Sequence, residues 1–324
     1  MEAPFRNELY YLKFTLLSMA WFFALHLAVH LVCLRKNQHY RDLSSEKRCE
    51  YRTYVISPVH AIVATLLSTI AMLYICGEGR TVFNNDACMD TTRYIHIWAL
   101  LHTCGYFLVD FIFLYFVVKG NTTLDYQTYA HHLVAVTTFY QTLYFMHFMT
   151  VFGVMLLFIE ISTPFLCARW FMFTHGMTDS IWYPVNALCL IITFFLARIV
   201  YLGYVVFWVG SGWVYEAYMK KEMGLYKGFV LAEMALMVIL SCVLNAYWFW
   251  LMFKMIIRVI SRSTQPKASA EEKVELVKND ALAMEGGHEI DCGSSTQGSN
   301  QGEIADEAQN NLDFPTPHIE EESI

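Results

Sequence analysis

Ionisable side chains inside long apolar stretches are the residues with chemistry to offer. They are His26, His30, His60, His96, His102, Asp110, His131, His132, Glu160, Arg198 and Glu233, with Asn186 and Asn245 as uncharged companions. In hydrocarbon such groups are costly, and they mark binding sites, relays or buried pairs. His131-His132 is the sharpest feature. Adjacent helical residues point about 100° apart, so one imidazole can face a cavity while the other is tied to a neighbouring helix. Histidine is the natural general base at neutral pH. Asp110 could fix its tautomer, as a carboxylate does in a triad. The alternative is a structural pair bonded to carbonyl groups or to Asp110.

Glu160 lies in Phe158-Ile159-Glu160-Ile161-Ser162-Thr163-Pro164. Pro164 removes a backbone bond to residue 160, so a kink is expected there. Arg198 stands deep in a later apolar stretch, and its simplest role is an ion pair with Glu160 or Glu233. The alternative is a polar seat for a lipid headgroup or a CoA phosphate. His26 and His30, four apart on one helix face, invite a di-iron reading together with His131-His132. Such sites need more histidine boxes. Thr128 stands where the extra histidine of an HxxHH box would fall, and a second adjacent pair is absent, so no metal is expected.

These residues need elements to hold them. The 324-residue chain is 56% hydrophobic and 16% charged, against about 45–50% and about 25% in soluble domains. That excess argues against a soluble enzyme, a nucleic-acid binder and a disordered chain. A bilayer core needs about 20 apolar residues per helix. Seven stretches qualify: Tyr11–Leu34, Tyr54–Cys76, Tyr94–Val118, Tyr129–Met146, Thr150–Trp170, Ile181–Val209 and Phe229–Ile257. The sixth holds Pro184, Arg198 and Gly203 and is read as one tilted or broken helix. The first is too long for a signal-peptide core and is read as a retained anchor. The predicted fold is an all-α multi-pass bundle of about seven spans.

Charge divides the chain. From Ile260 onward there are 14 acidic and 4 basic residues, a balance of −10, and the rest carries +3. The densest basic cluster is Arg35, Lys36, Arg41, Lys47, Arg48 and Arg52, between spans one and two. The positive-inside rule puts it in the cytosol, hence the N-terminus in the lumen and the C-terminus in the cytosol. Lys220, Lys221 and Lys227 lie on the opposite side and oppose this mildly. The sequon Asn121-Thr122-Thr123 then faces the cytosol and is expected to stay unmodified. The nine cysteines show no CxxC or zinc spacing, though Cys76 and Cys88 could meet in the lumen. The tail is polar and acidic and expected to be disordered, with one short helix conceivable over 268–284. It is a candidate to bind a cytosolic protein, and Glu322-Ser323-Ile324 offers a weak PDZ-type end. The expected organisation is an anchor span and basic loop over 1–49, a six-span body over 50–262 and a tail over 263–324.

The order of polar motifs carries a resemblance. Gly105-Tyr106-Phe107-Leu108-Val109-Asp110 precedes His131-His132, then Glu160-Ile161-Ser162-Thr163-Pro164-Phe165. Arg169-Trp170, Asn186, Arg198 and Asn245-Ala246-Tyr247-Trp248-Phe249 follow. This resembles the TLC-domain family, shared by translocon-associated membrane proteins, ceramide synthases and a neuronal ceroid lipofuscinosis protein. The branch it looks most like is the small TLC-domain-containing proteins. The resemblance implies an endoplasmic-reticulum or other endomembrane protein of lipid homeostasis. Ceramide synthases follow their His pair with several Asp residues on the same helix. Here Leu133-Val134-Ala135-Val136-Thr137-Thr138-Phe139-Tyr140 follows, with no acid before Glu160. The homeobox-like segment of many synthases is also missing.

Three functions follow as expectations. The first is a protein that binds, senses or handles acyl lipids, with a polar cluster of Glu160, Arg169, Asn186, Arg198, Glu233 and Asn245 that seats lipid or holds structure. The second is an acyltransferase in which His131, His132 and Asp110 are catalytic and acyl-CoA is the substrate. Asn186 or Asn245 would hold the oxyanion. The third is a cargo receptor of the endoplasmic reticulum, disfavoured by the lack of a di-lysine C-terminus. No cofactor is expected. The partners expected are membrane lipids or acyl chains and a second copy of the chain, not nucleic acid.

Overall fold

The computed structural model describes residues 8–73, 92–145, 149–212, 215 and 225–263. The tail helix, the C-terminal tripeptide, the Cys76–Cys88 pair and Lys220 and Lys221 lie outside the described residues. Among the described residues the fold is all-α. Helices α1 (Glu8–Lys36), α2 (Gln38–Asp42), α3 (Ser45–Leu73) and α4 (Tyr94–Ile112) come first, and α4 runs on as a π-helix over Phe113–Val118. They are followed by α5 (Thr123–Phe145) and α6 (Met149–Leu157). The 3-10 segment Phe158–Ser162 joins α6 to α7 (Thr163–Thr174). α8 (Trp182–Phe194) continues as π-helix over Phe195–Tyr201 and Tyr204–Gly210, and α9 spans Leu225–Ser263.

Six of these runs are long and apolar enough to cross a membrane: Glu8–Lys36, Ser45–Leu73, Tyr94–Val118, Thr150–Thr174, Trp182–Gly210 and Gly228–Lys254. The seventh, α5, has 23 residues and is long enough at about 1.5 Å per residue. Its Thr, His and Gln side chains keep it out of that group. The protein is therefore a multi-pass membrane protein, with about seven spans.

The sequence places the ends of two elements too far inward. α3 starts at Ser45 rather than near Tyr54, so Lys47, Arg48 and Arg52 ride on a helix and not in a loop. Ser44 caps it, accepting from Lys47 N at 3.3 Å. α5 starts at Thr123 because Thr122 and Asp125 form a reciprocal cap. Asp125 N donates to Thr122 Oγ1 at 3.2 Å, and Thr122 N to Asp125 Oδ2 at 2.9 Å, a capping box with Asp in the Glu position. Asn121 of the sequon is exposed just ahead of that cap. The sixth span stays one helix, broadened rather than broken.

The interior is built as a membrane protein requires. Leu16, Leu17, Trp21, Leu27 and Leu31 of α1 are exposed, whereas Thr15, Ser18 and His26 of the same helix are buried. Lipid tails are as apolar as leucine, so helices associate by close packing and hydrogen bonds rather than by hiding leucines. The contact of α1 with α4 shows this. A Cβ on Gly105 would lie 2.4 Å from Ser18 Oγ and 3.0 Å from Met19 N. Only glycine admits that approach, and Ser18 Oγ donates to His102 O at 3.0 Å across it. Phe22, Ile56, Leu100, Leu101 and Phe107 fill the core beside it. A second core joins Met72, Phe152 and Met155 to Val205, Met234 and Val238. Between these two cores lies the candidate site.

Candidate functional site

The site is assembled around Arg198, in the first π-helical stretch after α8. Its guanidinium is buried and uses both nitrogens of the fork and Nε. Nε donates to Ser162 Oγ at 2.9 Å and Nη1 to Asn245 Oδ1 at 3.1 Å. Nη2 donates to Thr163 Oγ1 at 3.1 Å and lies 3.4 Å from Glu160 Oε1. Thr163 Oγ1 in turn donates to Glu160 Oε2 at 2.6 Å. Asn245, fully buried, completes the set by donating Nδ2 to Ser241 O at 2.9 Å. The cation also stands 5.3 Å from the centre of the Phe194 ring. A charge this deep survives only when paired and hydrogen-bonded throughout.

The local backbone makes this possible. Pro164 sits in the first turn of α7, where its missing N–H costs nothing. The turn before it tightens to 3-10 geometry over Phe158–Ser162. Three residues per turn set Glu160 and Thr163 one above the other. The π-helical stretch of Phe195–Tyr201 widens the facing helix at Arg198, a form frequent at functional sites.

Beside this network, an apolar chamber of about 60 Å³ lies between α5, α6 and α9. Val134, Ala135, Thr138 and Phe139 of α5 form one wall, and Met237, Val238 and Ser241 of α9 another. His131 and Glu160 are its ionisable lining groups. His131 Nδ1 makes no hydrogen bond, and the Trp248 ring stands edge-on to the imidazole at 5.9 Å. Trp248 is held by donating Nε1 to Gln127 Oε1 at 2.8 Å.

His132 turns the other way. Its ring stacks on Phe107 at 4.7 Å and 15°. Its Nδ1 lies 3.5 Å from Asp110 Oδ2, beyond ordinary hydrogen-bond length. Asp110 Oδ1 has no hydrogen-bond partner, and both groups are buried. Behind them His60 stacks on Tyr106 at 4.0 Å and 11°, with His102 5.7 Å away. Neither ring nitrogen of His60 is hydrogen-bonded. The carboxylate therefore stands against the histidine that does not line the chamber.

The remaining sequence-picked residues disperse. Glu233 is exposed on α9 and accepts from Gln141 Nε2 at 2.9 Å, whereas the carboxylate that meets Arg198 is that of Glu160. Asn186 donates Nδ2 to Phe165 O at 2.9 Å. It ties α8 to α7 twelve residues before Arg198, and so stands far from it. Arg169, half-buried on α7, does not enter the hydrogen bonds of Arg198. His26 packs on Phe113 at 4.2 Å. His30 Nδ1 instead meets Tyr40 Oη at 2.7 Å and Arg52 Nη1 at 3.2 Å. Ser162, Thr163 and Trp248 stand within the motifs quoted above but received no role from the sequence. Two signals point to them: hydroxyls flanking a mid-span Glu-Pro pair, and the three-residue spacing of Asn245 and Trp248, which puts both on one helix face.

The TLC domain pattern matches residues 50–254. TLC domain-containing protein 4 of Xenopus tropicalis is 28% identical over 215 residues, 65% of this chain and 76% of its own length. Its counterpart 4-B of Danio rerio is 25% identical over 263 residues, 75% and 87% of the two chains. Protein CLN8 of Homo sapiens is 24% identical over 236 residues, 70% and 76%. The matched stretch runs from α3 into α9 and takes in every hydrogen bond of the Arg198 network and every wall of the chamber, so this chain belongs to the TLC domain family.

Proposed function

We propose that the protein binds acyl lipids inside the membrane and tunes lipid composition from an endomembrane such as the endoplasmic reticulum. One observation carries the reading: an apolar chamber whose ionisable lining, among the described residues, is His131 and Glu160. Apolar walls with few convergent polar groups are the usual build of a small-molecule site. Here the polar end would take a lipid's oxygen or nitrogen functions, and the Arg198 network would fix Glu160. Oriented by the basic residues 35–52, the His131 end of α5 is the cytosolic end. The acidic tail would extend into the cytosol and offer itself to a soluble partner.

Acyl transfer from acyl-CoA is the second reading, favoured by the unpaired Nδ1 of His131. A substrate amine or hydroxyl would lose its proton to His131 while attacking the thioester carbonyl, and CoA thiolate would leave. The carboxylate that should steady that base stands against His132 instead, which is why binding is preferred.

The test is the lipidome of null cells rescued with wild type, His131→Ala, Asp110→Asn or a tail deletion. Binding at the chamber predicts that His131→Ala alone fails to restore normal composition. Full rescue by His131→Ala would overturn it. Labelled acyl-CoA consumed by purified wild type but not by His131→Ala would promote the second reading.

A further inference from the structure

We propose that the groove between α3 and the π-helical end of α8 seats the hydrocarbon tail of a bilayer lipid, with Tyr201 as the latch between that groove and the His131 chamber. The proposal rests on the reading above only for the ligand's polar end. The groove has about 340 Å³ and is lined by Thr69, Met72, Leu73, Phe158, Tyr201 and Tyr204, with no charged group among them. Leu73 and Tyr204 are exposed at its mouth. A groove with that lining, open to hydrocarbon, selects for methylene chains.

The chamber cannot do that work alone. A cavity of about 150 Å³ accepts benzene, and the chamber has about 60 Å³. A lipid whose polar end meets His131 and Glu160 must therefore put its tail elsewhere. One wall separates the two spaces. Leu157 and Leu202 line the chamber, and their neighbours Phe158 and Tyr201 line the groove. The wall is made where helix geometry is least regular, at the 3-10 turn of Phe158–Ser162 and the π-helix of Phe195–Tyr201.

Its fastening is uneven. At one end the wall is clamped by Arg198 and Glu160. At the other, Tyr201 Oη lies 3.1 Å from Met155 O and 3.2 Å from Met72 Sδ. One phenol proton can serve only one of these, and the thioether is a weak acceptor. The ring otherwise leans on Phe158 at 5.0 Å. Gly203, two residues on, has nothing within 4 Å of where a Cβ would stand, so the outward face of that turn is open while Leu202 and Val205 pack inward.

The experiment uses the full chain in nanodiscs of phosphatidylcholine with a diazirine midway along one acyl tail, with adducts mapped by mass spectrometry after photolysis. Wild type should label Leu73 and Tyr204 several-fold above Leu17 of α1, an exposed apolar residue on another face. Tyr201→Phe, which keeps the ring and drops the latch, should raise adducts on Ala135 and Thr138 several-fold. Thr69→Trp should fill the groove and lower labelling at both places. Equal labelling of Leu17 and the groove would overturn the seat. Unchanged chamber adducts in both Tyr201→Phe and Tyr201→Ala would overturn the latch. Failure of the lipid-handling reading is separately visible, because it appears as lipidome rescue by His131→Ala with the labelling pattern intact.

Discussion

Two buried polar regions lie side by side in this bundle and are built on opposite plans. Around Arg198 every group has a partner: Ser162, Thr163, Glu160 and Asn245 share the donors of one guanidinium. Around His132, Phe107 stacks on its ring and Tyr106 on that of His60, with His102 tilted beside them, and the nitrogens of His60 and one oxygen of Asp110 have no partner. An unsatisfied buried group costs about 1–3 kcal/mol. The first region is satisfied throughout; the second carries that cost and leaves polar atoms without partners near the chamber. The contrast separates residues whose loss unfolds the protein from residues whose loss alters what it binds.

The strongest way to break the contrast is Arg198→Leu. It leaves Glu160 buried without its cation, and breaking such a pair costs about 3–5 kcal/mol. The melting temperature in detergent should fall steeply. The double variant Arg198→Leu/Glu160→Leu should recover much of it, since no charge is then stranded. Equal losses in single and double variants would mean that the pair is not what the network protects.

Thr163→Val is the next step. It removes one donor to Glu160 and one acceptor for Arg198 without changing shape, and should cost about 1–2 kcal/mol. His60→Phe belongs to the other region. No hydrogen bond is lost and the stack on Tyr106 is kept, so stability should move by less than about 1.5 kcal/mol in either direction. A collapse of folding would show that His60 has structural partners of its own. Glu233→Gln is the smallest change. The exposed side chain can still accept from Gln141, and stability should stay within about 0.5 kcal/mol of wild type.

Much of the fold could be read from the chain because hydrocarbon makes polarity conspicuous. Every residue of the Arg198 network is an ionisable or amide group inside an apolar run, or a hydroxyl next to one. The family likeness rested on the order of those groups. What could not be read was which way each one faces. These helices are apolar all round, so periodicity does not mark an inner face. Glu160 and Glu233 were equivalent candidates for Arg198 until packing turned one inward and the other out. Asn186 shares a span with Arg198 but lies too far along it. The choice between His131 and His132 depends on the rotation of α5, set by Phe107 and Trp248 on other helices. The 3-10 and π turns each shift a face midway along a helix, and no residue pattern announces them.

The helix that carries both histidines is also the long helix, among the described residues, that is not apolar enough to cross a membrane by composition. Insertion scales penalise each polar residue near a helix centre, so α5 gains little by leaving the translocation channel for lipid alone. It packs against α4, α6 and α9, and those neighbours give Thr138, Thr142 and His132 a place out of hydrocarbon. The placement of α5 and the assembly of the chamber are therefore tied to the same contacts. A helix of this composition is held at membrane depth by the same neighbours that wall the chamber, so a change that loosens those contacts should expose its Thr and His side chains to lipid.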